Sequence, residues 1–142
     1  MYKIMNHIKL LLPILTIVLT GCSNHTPKIP ISNSLEIALG NNYNSYVDLL
    51  NRSVSNDTVA LLKFIKIDNV NDAAGYDHGY ILYKLLETIG DKNFSSALKE
   101  LTPQEKINFA NYFEVGVDAN DSLMPECKIK YPLSYDLIKS VK

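Results

Sequence analysis

The chain has no tryptophan, two cysteines, three histidines and six glycines in 142 residues. Two cysteines are too few for a disulfide scaffold, and six glycines too few for a collagenous or low-complexity chain. Three histidines and two cysteines, scattered along the sequence, leave no set with zinc-ligand spacing. Arginine occurs once, as Arg52, against 13 lysines, and charge is nearly balanced at −1. No Gly-rich phosphate loop, dinucleotide fingerprint or nucleophile elbow occurs. Long hydrophobic runs are also missing, apart from Leu10 to Leu19. That run is about ten residues, too short to cross a bilayer core of roughly 30 Å as a helix. What remains is 46% apolar and 20% charged, ordinary globular composition sufficient for one domain.

The amino-terminal run has a context. Lys3 and Lys9 precede it, and Leu19-Thr20-Gly21-Cys22 follows it. Small residues ahead of a cleavage point let a chain enter a peptidase extended. All four positions resemble the lipobox of bacterial lipoproteins. The resemblance implies a cleaved signal peptide at 1–21, a diacylglyceryl group on the Cys22 thiol, and palmitate or a similar acyl group on the new amino terminus. Several acyl chains exceed what one chain gives in membrane binding, so the anchor would be effectively permanent. Ser23 is not the Asp that, in the lipoprotein family, marks retention in the inner membrane. The implied location is the cell envelope, with the outer membrane facing the periplasm favoured.

The mature chain would be Cys22 to Lys142, with 12 basic and 15 acidic residues. Residues 22–33 read as lipidated terminus and flexible tether, with Pro27 and Pro30 and few large apolar side chains. With Cys22 lipidated, Cys127 has no partner in the chain, and burial is the favoured reading for it.

From residue 34 to the end the pattern predicts a single all-α domain, a small bundle or short α-solenoid of five to six helices. Leu35, Leu39, Tyr43, Tyr46 and Leu50 fall on one stripe, in a helix kinked at Gly40-Asn41-Asn42. Ser55-Asn56-Asp57 offers N-caps for a second helix carrying Leu61, Leu62 and Ile65. Residues 68–73 read as a polar loop. A third helix over about 74–89 places His78, Leu82, Leu85, Leu86 and Ile89 on one face and stops at Gly90. A short fourth helix carries Phe94, Ala97, Leu98 and Leu101. Thr102-Pro103-Gln104-Glu105 is a capping box with Pro at the first helical position, opening a fifth helix with Phe109, Tyr112, Phe113 and Gly116 on one face. Residues 118–133 read as irregular, with a last short helix over 135–141.

His78 on an apolar face reads as a core histidine in preference to a general base, because the adjacent Asp77 points about 100° away around the helix. Asp68-Asn69-Val70-Asn71-Asp72 imitates a calcium loop, but has Val70 at the third ligand position and Gly79 at the twelfth. No metal and no cofactor are expected. Residues 68–126 hold 11 acidic and 4 basic residues, which disfavours nucleic acid as a partner and could suit a basic one; a solvated acidic surface with the basic tail 127–142 folded back onto it, 4 basic to 1 acidic, is the favoured reading. Tyr76, Tyr80 and Tyr83 lie on the side of the third helix away from His78 and Leu82. Either that helix is central and packed on both sides, or the tyrosines form an exposed recognition strip.

These observations lead to the expectation of a membrane-anchored, non-enzymatic protein-interaction module of the cell envelope, with an envelope protein as partner. Two alternatives stand beside it. One is a periplasmic immunity or inhibitor lipoprotein acting on a toxin or wall-degrading enzyme. The other is a lipid-anchored envelope hydrolase.

Overall fold

The computed structural model describes residues 26–70, 72–118 and 123–141. The expected signal peptide 1–21 and Cys22 lie outside them. Among the described residues the chain is all-α. The helices are α1 (Asn33–Leu39), α2 (Tyr43–Val54), α3 (Thr58–Ile65), α4 (Ala73–Ile89), α5 (Asp91–Lys99), α6 (Pro103–Asp118), α7 (Leu123–Lys130) and α8 (Pro132–Lys139). A 3-10 turn, Gly40–Asn42, joins α1 to α2. The bundle expected from periodicity is present, with more and shorter helices than five or six.

Local chemistry explains most boundaries. Ser32 caps α1 by accepting from the Leu35 N–H at 3.1 Å. The stripe continues across the kink, because Leu35, Tyr46 and Leu50 are all buried. Asp57 caps α3, accepting from the N–H groups of Val59 and Ala60, each at 3.0 Å. Those bonds, with the Arg52 guanidinium on its other oxygen, hold the Asp57 carboxyl below its usual range. Gly90 separates α4 from α5 at φ 82°, a left-handed value that L side chains rarely adopt. The capping box forms as expected. Thr102 Oγ1 accepts from Glu105 N–H at 3.3 Å, and the Glu105 carboxylate accepts from Thr102 N–H at 2.8 Å.

The core lies around α4, which touches α1, α2, α5 and α6 and packs most extensively on α6. Two glycines set that pairing. A Cβ added at Gly79 would sit 1.9 Å from the Tyr112 carbonyl oxygen, and one at Gly116 would sit 2.2 Å from Gly79 C and Tyr80 N. The two backbones therefore meet directly, at a separation that no side chain permits. Phe113, Val117 and Phe109 pack beside the crossing, with Phe109 also against Phe94 of α5.

Two sequence expectations are corrected. The segment 118–133 is not irregular where described, since it contains α7 and leads directly into α8. Periodicity misses α7 because only Cys127 of its eight residues is buried. Pro125 stands at its third position, where a missing N–H costs no hydrogen bond. Asp91, at the start of α5, accepts from the first-turn N–H groups of Leu133 and Ser134 at 2.9 and 2.8 Å, capping α8 from another helix. The second correction concerns the expected tether, which over 26–32 is non-helical but not detached, and whose last residue, Asn33, opens α1. Ile29 is only 5% exposed, and Lys28 N–H donates to Asn51 Oδ1 at 2.7 Å on α2.

Candidate functional site

His78 occupies the position expected of it, at 0% exposure in the core. Its Nδ1 is 2.8 Å from the Tyr46 hydroxyl, and its ring meets Tyr46, Phe64 and Tyr112 edge-on. Nε2 makes no hydrogen bond of acceptable geometry. Burial lowers its pKa to about 4, with the nearby Ile67 carbonyl working weakly the other way. The ring is therefore neutral at physiological pH. Asp77 does not orient it. The Asp77 carboxylate instead accepts from the hydroxyls of Ser32 and Ser34, tying α4 to the start of α1.

Cys127 is also buried, and burial, with the Asp91 and Glu126 charges, pushes its thiol up to about 11. It is consequently a poor nucleophile at neutral pH. Among the described residues, no group of three or more His, Cys, Asp or Glu is placed to hold a metal ion. Nor is any helix among them long and apolar enough to cross a membrane.

The three tyrosines of α4 do not form one strip. Tyr76 and Tyr80 are exposed, at 54% and 45%, whereas Tyr83 is buried at 2%. On a helix, Tyr83 is only about 20° from Tyr76 around the axis, but two turns higher. At that height Phe113 and Tyr131 cover it, with ring centroids 6.3 and 6.5 Å away. Tyr131 lies between α7 and α8, so the helix that periodicity missed leads directly to the residue that shields Tyr83. Below it the same face of α4 is uncovered.

That uncovered stretch forms one wall of an open groove of about 420 Å³. Tyr76 lines it from α4, Asn108, Asn111, Tyr112 and Val115 from α6, and Asp68, Val70 and Asp72 from the loop between α3 and α4. The close glycine crossing brings the two helices near enough to share it. Gly75, one turn before Gly79, leaves room for the Tyr112 ring, which lies 3.4 Å from where a Cβ would stand.

Tyr112 fixes Asp68 and Val70. Its hydroxyl lies 2.9 Å from the Asp68 carbonyl and 2.8 Å from the Val70 carbonyl, and the Val70 N–H donates to it at 3.2 Å. Asn108 adds a longer bond to the Asp68 carboxylate, at 3.4 Å. Asp72 is held at φ 54°, its carbonyl accepting from the Gly75 N–H at 3.0 Å. The groove rim is thus held in place before any ligand arrives. Neither Asp68 nor Asp72 is in an ion pair among the described residues; the nearby Lys66 pairs with Glu105 at 3.0 Å.

Of the three tyrosines that stand out in the sequence, Tyr76, Tyr80 and Tyr83, only Tyr76 lines the groove, and the α6 wall is not marked by them. The row Ile107, Asn111, Val115, four residues apart and opposite Phe109 and Phe113, was the signal available. Ile107 and Val115 are both exposed, at 39% and 36%. Comparison with family models, curated proteins and solved structures returns no match.

Proposed function

We propose that the mature chain is a lipid-anchored interaction module of the bacterial cell envelope, binding a partner protein through the α4–α6 groove. The lipobox-like Leu19-Thr20-Gly21-Cys22 supports the anchor. The observation that carries the binding role is half-exposed Tyr76 of the central helix α4, facing Val115 of α6 across the groove, with half-exposed Tyr80 one turn further along α4. Tyrosines contribute large contact area with few rotors to freeze, which suits recognition. The only histidine of the folded domain is locked, neutral, in the core, so its chemistry serves packing.

Two measurements test this reading. Replacing Cys22 by Ser should release the protein into a soluble pool or leave it unprocessed; maturation and fractionation like wild type contradict lipidation. Chemical crosslinking in intact envelopes, with the lipidated protein as bait, should recover a stoichiometric protein partner. The double variant Tyr76→Ala/Tyr80→Ala should reduce that recovery. Turnover of a peptidoglycan or lipid substrate that depends on His78 or a carboxylate, with no partner recovered, favours the hydrolase instead. The acidic rim also suits a blocking role against a basic wall-degrading enzyme. In that case the recovered partner is the enzyme, and its activity falls on binding.

A further inference from the structure

The groove has a chemical character more specific than an apolar patch. Its wall offers the rings of Tyr76 and Tyr112, and its rim the carboxylates of Asp68 and Asp72. Both carboxylates are exposed and outside any ion pair among the described residues. No lysine or arginine lines the groove. Aromatic faces attract cations through their quadrupole, and carboxylates pair with guanidinium or ammonium groups. An anionic or purely aliphatic occupant would use neither feature.

We propose that the groove takes the cationic side chain of an arginine or lysine presented by a partner protein segment. The aliphatic stem lies along Tyr76 and Val115, and the charged head meets Asp68 and Asp72. Asn111 supplies a side-chain carbonyl or amide for the backbone of the same segment. This rests on the interaction-module reading above and narrows it to a basic partner segment. The Tyr112 latch on the Asp68 and Val70 backbone pre-organises that side of the rim, so little ordering there opposes binding.

The test uses the full-length chain purified in a neutral detergent and a short alternating Gly–Arg peptide as the probe. The same peptide with citrulline for arginine keeps the shape and removes the charge. The Arg peptide should bind, and the citrulline peptide should bind about three- to tenfold more weakly. The double variant Asp68→Asn/Asp72→Asn should weaken the Arg peptide by a similar factor, and Tyr76→Ala by about two- to fivefold. Asn tolerates the positive φ at position 72, so that variant leaves the loop intact. The control Glu36→Gln/Glu100→Gln removes two exposed charges outside the groove and should change nothing.

Equal binding of the citrulline peptide, an equal loss in the control variant, or no binding of the Arg peptide each overturns the proposal. The envelope crosslinking experiment separates the two claims. A partner captured through a segment without Arg or Lys overturns the basic-segment proposal and leaves the module standing. Failure to capture any partner removes the module itself.

Discussion

Acidification should destabilise this domain through His78 before the surface carboxylates respond. The ring is fully buried and its pKa is lowered from 6.5 to about 4. The sign follows from which state takes the proton first. As pH falls below 6.5 the unfolded chain protonates its histidine while the folded core still resists. Stability is therefore fully present above 6.5, is lost between about 6.5 and 4, and levels off below the folded value. A shift of this size corresponds to roughly 3 kcal/mol.

The variant His78→Gln has no titrating group there. It should be less stable than wild type at neutral pH, by about 1–3 kcal/mol, because an amide fits the Tyr46 contact and ring packing less well. Its stability should then vary less with pH, so the gap to wild type narrows or reverses as acid is added. The lowered carboxyls of Asp57 and Glu105 lose their contribution only as pH falls through the carboxylate range, and they do so in both proteins. His7 and His25 are likewise common to both. Urea unfolding followed by circular dichroism at about pH 7 and about pH 4.5 measures the difference. Parallel losses in wild type and variant would refute the account of His78 as a neutral, desolvated core residue.

Other substitutions probe the architecture. Gly79→Ala and Gly116→Ala each force α4 and α6 apart, and should each cost about 3 kcal/mol or more, read as a fall in thermal midpoint; an unchanged midpoint contradicts the backbone crossing. Tyr83→Ala should cost about 3–5 kcal/mol while Tyr76→Ala costs under about 1, a contrast that reports which tyrosines the α7–α8 segment covers. Equal costs would mean that Tyr83 is as open as Tyr76.

The sequence conveyed helix phase and caps better than it conveyed neighbours. Leu35, Tyr46 and Leu50 are buried as their spacing indicates, and the Thr102–Glu105 box and the stop at Gly90 are where composition puts them. These features are local, decided within a turn or two of chain. The errors share the opposite cause. α7 is held by tertiary cover over Cys127, and the α8 that follows it is capped by Asp91 from a distant helix, neither visible as periodicity. Tyr83 shares its angle with Tyr76, but angle around a helix says nothing of what stands opposite at a given height. The groove was half legible for the same reason. Tyr76 stands out on α4, but Asn111 and Val115 join it only because Gly79 meets Gly116. Asp68 and Asp72 invite comparison with a calcium loop, whereas the structure uses them as the rim of an aromatic groove.

The central claim is that the α4–α6 groove is where this protein meets its partner. Site-specific photo-crosslinking in intact cells tests it most directly, with the photoreactive residue placed at Asn111 in the groove or at Glu36 on exposed α1. The account predicts one dominant protein adduct from position 111 and none from position 36, with the adduct diminished by Tyr76→Ala. No adduct at 111, or the same adducts from both positions, would contradict it.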